Sequence, residues 1–225
     1  MRRFLVPLLL VGATLAAAPA ADATTGPTAE IVDSTGRPGR TVSFTFDDGP
    51  DPANTPALLD VLRRTHVRAV FCLWGEHARQ YPALVRRIVR EGHILCNHSM
   101  NHDDLSTKSA ADIRADLRAT NAAIRSAVPF ARIPYFRAPY GAWGESPAVA
   151  AGLGMQPLGW RLAIADWEPP GTDVLVERLL TGITPGAVVL MHDGGGDRSQ
   201  TVDAVTEVIP TLRAQGWHLT RPARH

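Results

Sequence analysis

Asp47 and Asp48 stand side by side between an alternating run, Val42-Ser43-Phe44-Thr45-Phe46, and a Gly49-Pro50 turn. Alternation with a period of two is strand patterning, and Gly-Pro stops it. The two carboxylates therefore fall where a strand opens into a loop. Neighbouring strand residues point to opposite sides, which suits the pair to two different jobs. Two like charges this close in a partly dry site repel and call for a cation. The competing reading is a plain turn, for which Asp-Asp-Gly-Pro is good chemistry.

His98 and His102 are four residues apart. On a helical turn that spacing brings both imidazoles to one face, as a metal site requires. The Asn, Ser and Asp around them mark a strand-to-helix turn. Two imidazoles and one carboxylate leave positions open for water, as in a catalytic zinc-type centre. Imidazole ligands point to zinc or another borderline divalent ion, with cobalt possible, ahead of magnesium. The second carboxylate is then free to act as base on water that the ion acidifies. Arg137 can hold that carboxylate ionised and oriented; its ordinary alternative is a rim arginine. His192 is a candidate general acid, and Asp166 can keep it protonated or merely cap a turn. Trp74, Tyr140, Trp143 and Trp167 are candidates for a stacking wall, with core or surface filling the alternative for each.

These residues need elements to carry them. The patterning predicts strands over 41–46, 69–73, 93–97, 133–137, 187–191 and 217–220, with an extended segment over 155–162. It predicts helices over 52–66, 81–91, 109–128, 146–152, 172–181 and 201–215. Strand alternating with helix implies a parallel sheet covered by helices. About seven strands without a dinucleotide glycine fingerprint favour a barrel over an open doubly wound sheet. In such folds chemistry collects at the C-terminal strand ends. Five expected strand ends carry ionisable residues: Asp47-Asp48, His98 to His102, Arg137, Asp166 and His192. The run Gly194 to Arg198 lacks the Gly-Lys-Ser/Thr ending of a phosphate loop and reads as a mobile loop beside His192.

The 225 residues suffice for one domain with a full core, and a net charge of +1 gives no nucleic-acid footprint. Met1-Arg2-Arg3 followed by an apolar run and small residues marks residues 1–23 as a secretory signal peptide. The run falls short of the roughly 20 residues of a membrane span, so no stable membrane insertion is expected. Residues 24–40 read as a flexible lead-in and 41–225 as the catalytic domain. An exported monomer, soluble or associated with the cell wall, is expected. Export permits a disulfide between Cys72 and Cys96; two buried thiols are the alternative.

With these residues assembled, the chain resembles the NodB-homology polysaccharide deacetylases of the fourth carbohydrate esterase family. The resemblance covers roughly residues 40–220. It rests on five motifs in the family's order: Thr45-Phe46-Asp47-Asp48-Gly49-Pro50, His98-Ser99-Met100-Asn101-His102, Arg137-Ala138-Pro139-Tyr140, Asp166-Trp167 and Leu190-Met191-His192. It implies an α/β fold, a distorted (β/α) barrel. It implies metal-dependent removal of N-acetyl groups from N-acetylglucosamine polysaccharides such as peptidoglycan or chitin oligosaccharides. O-deacetylation, as by an acetylxylan esterase, is the alternative, and non-catalytic carbohydrate binding a third reading. The resemblance assigns Asp47 as base, with Asp48, His98 and His102 as metal ligands. It makes Arg137 the orienter of Asp47, the Tyr140 N–H an oxyanion donor, and Asp166 the support of His192 as acid. Ala163 departs from the pattern, since many members carry an aspartate there.

Overall fold

The computed structural model describes Met1 and residues 29–225. The signal peptide expected over 1–23 therefore lies outside the described residues, Met1 apart. In chain order the elements are β1 (Thr41–Asp47), α1 (Thr55–Arg64), β2 (Val70–Leu73), α2 (Gly75–Gln80), α3 (Pro82–Arg90), β3 (Ile94–Asn97), α4 (Ala110–Ala127) and β4 (Tyr135–Phe136). A 3-10 turn at Pro139–Gly141 follows, then α5 (Ser146–Ala151), β5 (Gln156–Pro157), β6 (Leu162–Ala163), α6 (Thr172–Gly182), β7 (Ala187–His192), α7 (Ser199–Ala214) and β8 (His218–Leu219).

The strands run parallel in the order β5-β4-β3-β2-β1-β7-β6, with β8 beside the start of β1. The alternation in β1 sorts its side chains. Val42, Phe44 and Phe46 pack outward with Leu58, Leu59 and Leu62 of α1. A second, smaller cluster joins Val32, Val70, Cys72, Cys96, Tyr135, Leu158 and Val188. Register sets Cys72 opposite Cys96, with Cα atoms 4.1 Å apart, and the two are disulfide-bonded. Parallel neighbours at equal height point the same way, which turns the permitted bond into a made one.

Two expectations change. The extended segment over 155–162 is two short strands, β5 and β6, with a break between. Pro157 has no N–H to give a ladder, and the carbonyls of Leu158 and Gly159 accept from the Arg137 guanidinium at 3.0 Å each. The described part of the 24–40 lead-in is also woven into the sheet. Val32 bridges Leu158 and Ser34 bridges Ala187, so this segment spans the gap between β5 and the β6–β7 side. Val32 is buried there. The helix α2 was not expected: six residues starting at a glycine are too few to show a helical period.

Candidate active site

Every strand end singled out by sequence opens on one mouth. Asp47 ends β1 and lies in register with His192, the last residue of β7. Its Oδ1 accepts from Arg137 Nη1 at 2.7 Å. Arg137 is fully buried, and its guanidinium also reaches Thr45 Oγ1 at 2.8 Å as well as the two carbonyls named above. Trp160 lies against it, 5.5 Å from ring centroid to guanidinium carbon. Four hydrogen bonds leave this side chain one orientation, and that orientation presents a cation to Asp47.

Asp48 turns the other way, in a left-handed conformation with φ of 72°. Its Oδ1 lies 3.4 Å from His98 Nε2 and 3.2 Å from His102 Nε2. Burial pushes the Asp48 carboxyl up, but the His98 imidazole beside it, and the charges of His192 and His102, hold it well below the usual carboxylate range. Burial likewise opposes a charge on His98, yet Asp47 and Asp48 lift its ring above the ordinary imidazole value. His102 is lowered by burial and by the charge of His98.

The stretch from 98 to 102 is an irregular loop on the way from β3 to α4, with Ser99 and His102 left-handed at φ of 64° and 58°, in keeping with the strand-to-helix turn expected there. Supports that sequence reading missed hold it. Asn97 Oδ1 accepts from the Ser99 N–H at 3.0 Å, and its amide donates to Leu117 O and Asn121 Oδ1 on α4. Asp116 accepts from the Met100 N–H at 3.0 Å. The His98 Nδ1 contacts the Arg137 carbonyl at 2.8 Å. A carbonyl only accepts, so Nδ1 carries the proton and Nε2 presents its lone pair to Asp48 when the ring is neutral.

Asp48, His98 and His102 can together hold a metal ion, with one ligand atom from each lying within 4.8 Å of the others. The donor set fits one. Asp48 Oδ1 is buried and without a hydrogen-bond partner among the described residues. A lone pair facing an anionic oxygen is satisfied by a cation between them. One carboxylate and two imidazoles suit a borderline divalent ion.

On the other flank, His192 Nδ1 is 2.7 Å from Asp166 Oδ1. Asp166 Oδ2 accepts from the His192 backbone N–H at 2.8 Å and from Thr201 Oγ1 at 2.9 Å. Burial opposes a charge on His192, but the hydrogen bond and charge of Asp166, then Asp47 and Asp48, raise its pKa above the ordinary value. Nδ1 is the donor to Asp166, so Nε2 is the nitrogen left to face the mouth.

The aromatic candidates separate. Tyr140 is 74% exposed, left-handed, and sits edge-on to His102 at 4.5 Å between centroids. Trp167 is 46% exposed and edge-on to His192 at 5.5 Å. These two flank the mouth. Trp74 packs behind His102 on His77, whose Nδ1 meets the Asp48 carbonyl at 2.9 Å. Trp143 joins the core beside Phe136. Ala163 is an exposed position of β6 opposite Leu190.

The Gly194 to Arg198 run is tied down, where a mobile loop was expected. Arg198 is buried, and its guanidinium donates to the carbonyls of Gly194, Gly195 and Asp197 at 3.0 to 3.1 Å. Asn54 clasps the loop from α1 through Gly196 O and the Arg198 N–H. The glycines let it lie on the Asp48 carboxylate: a Cβ at Gly195, itself at φ of 71°, would stand 2.7 Å from Asp48 Oδ2. Asp193 sits behind Gly49, fully buried and bonded to Thr55 Oγ1 at 2.5 Å; burial pushes its carboxyl up to about 7. A run of three glycines beside a strand-end Asp could have signalled this close approach.

A parallel α/β barrel whose mouth pairs a carboxylate, an imidazole and an Asp-His-His cluster has the equipment of a hydrolase. Residues 34–158 match the family described as polysaccharide deacetylase. A chitooligosaccharide deacetylase of Sinorhizobium fredii is 39% identical over 194 residues, 81% of this chain and 89% of that protein. A peptidoglycan-N-acetylglucosamine deacetylase of Bacillus cereus is 35% identical over 179 residues, 78% of this chain and 83% of that protein. Among solved structures, the Bc1960 peptidoglycan N-acetylglucosamine deacetylase superposes with a TM-score of 0.78 at 30% identity, covering 84% of this chain and 88% of that one. A family 4 carbohydrate esterase from Streptomyces lividans, in complex with acetate, gives 0.74 at 31% identity, covering 81% and 93%. The chain belongs to the polysaccharide deacetylase family and is an enzyme of that class.

Proposed function

We propose that the protein removes N-acetyl groups from N-acetylglucosamine-containing polymers or oligosaccharides, of the chitin or peptidoglycan type, in a metal-dependent hydrolysis. The observation that carries this is the placement of an Arg-held carboxylate, Asp47, and an Asp-held imidazole, His192, on either flank of the Asp48-His98-His102 cluster. A divalent ion held by Asp48, His98 and His102, with zinc favoured by the two imidazoles, would supply Lewis acidity at the acetyl carbonyl and lower the pKa of water. Asp47, oriented by Arg137 at 2.7 Å, takes the proton of the attacking water. The Tyr140 N–H steadies the developing oxyanion. His192 gives its proton to the departing amine nitrogen, and acetate and the free amine result. Tyr140 and Trp167, exposed at the two flanks, offer faces on which sugar rings can stack.

From the signal-peptide pattern of residues 1–23 we further propose that the protein is exported and acts as a monomer outside the cell or at its wall. Among the described residues no helix is long and apolar enough to cross a membrane. The similarity of the catalytic sets leaves O-acetyl substrates as the rival. Acetate release measured in parallel on chitooligosaccharides, peptidoglycan and acetylated xylan, with and without chelator, tests the reading. Chelator-sensitive release from the first two supports it; release from xylan alone replaces it with an O-deacetylase.

A further inference from the structure

The strands begin at the end of the barrel away from the mouth, and that end is basic. Clefts of about 1510 and 650 Å³ lie there and share His93, Ile94 and Arg221 on their walls. Arg37, Arg68, Arg125, Arg132, Arg221 and Arg224 line them. All six are exposed, and none is ion-paired with a carboxylate among the described residues. Glu91 is the one carboxylate side chain on these walls, and Arg87 already takes it at 2.7 Å. A chain with a net charge of +1 has thus gathered unpaired cations at one end.

Arginine forks call for oxygen acceptors carrying negative charge, and phosphate meets that geometry bidentately. A bilayer surface is planar on this scale and reaches only the rim of a cleft, whereas a single flexible chain can lie along it. Phe130, 97% exposed on the wall of the larger cleft, offers apolar contact to the carbons between phosphates.

We propose that this end of the barrel is a docking surface for a linear phosphodiester polyanion. It would hold the enzyme by the face opposite its catalytic mouth and leave the mouth free for acetylated polymer.

The test is fluorescence-anisotropy binding of the purified protein to labelled linear poly(glycerol phosphate), with anionic phospholipid vesicles in a parallel arm. Wild type should bind poly(glycerol phosphate) with an affinity that falls steeply with salt, because each neutralised phosphate releases counterions. Arg132→Glu with Arg221→Glu should weaken binding about tenfold or more at low salt, with thermal melting and turnover of a short soluble substrate unchanged. If that pair perturbs folding, Arg132→Gln with Arg221→Gln carries the same prediction. Arg86→Glu with Arg90→Glu, on exposed α3 positions outside the clefts, is the control and should bind as wild type does. No binding by wild type, equal loss in the control, or tighter binding to vesicles than to poly(glycerol phosphate) would overturn the proposal.

Discussion

Arg137 Nη1 stands 2.7 Å from Asp47 Oδ1, with neither side chain open to water beyond a few per cent. Among the described residues the guanidinium has no other carboxylate partner, so its charge is committed to Asp47. Removing it strands a buried anion. Arg137→Met should destabilise the fold by about 3–5 kcal/mol in denaturant unfolding and abolish most turnover. Asp47→Asn, which keeps the shape, should cost turnover while metal content stays near that of wild type. Retained activity in Asp47→Asn contradicts its role as base.

In the proposed mechanism the His192–Asp166 pair sets the alkaline limit. Burial works against the imidazolium, but Asp166 outweighs it and the folded pKa is raised. An acid that must be protonated then works up to a pH above the ordinary imidazole range, and activity falls as pH rises through the raised value. Asp166→Asn removes the opposing charge and leaves burial, so the alkaline limb of kcat should move to lower pH. An unmoved limb would take His192 out of the acid role.

Gly195 lies against the Asp48 carboxylate. Gly195→Ala places a Cβ in a left-handed position and 2.7 Å from Asp48 Oδ2. Metal affinity, read by titration calorimetry, should fall about 10- to 100-fold as the ligand is displaced, with thermal melting nearly unchanged. His98→Ala should lose metal outright.

The disulfide closes a loop between residues 24 apart in sequence. Constraint on the unfolded chain is worth about 3 kcal/mol for a loop of this order. Cys72→Ala with Cys96→Ala should lower the melting temperature by roughly 6–12 °C, at about 2–4 °C per kcal/mol, and leave the catalytic groups in place. An unchanged melting temperature would mean that the bond contributes nothing to stability.

What the sequence showed plainly was whatever repeats with a simple period or ends at a strand terminus. The alternation Val42 to Phe46 fixed which way Asp47 faces, and five strand ends converge as their order implied. Supports drawn from distant elements were not legible. Asn97 reaches Asn121 on α4, Asn54 reaches Gly196, and Asp193 hides behind Gly49; each is one polar residue in an otherwise ordinary helix, strand or loop. Tertiary bonding also overrode composition twice. A polar, Gly- and Pro-rich lead-in became a sheet filler through Val32, and a glycine-rich loop was pinned by buried Arg198. The break between β5 and β6 came from a partner far along the chain, since Arg137 takes the carbonyls of Leu158 and Gly159.

The most direct measurement is mass spectrometry of N-acetylchitooligosaccharide incubated with zinc-loaded protein in heavy-oxygen water. The account predicts loss of acetyl groups, free amines on the sugar, heavy oxygen in the released acetate, and suppression by chelator that zinc reverses. Intact N-acetyl groups with metal bound, or deacetylation that persists undiminished in chelator, would contradict it.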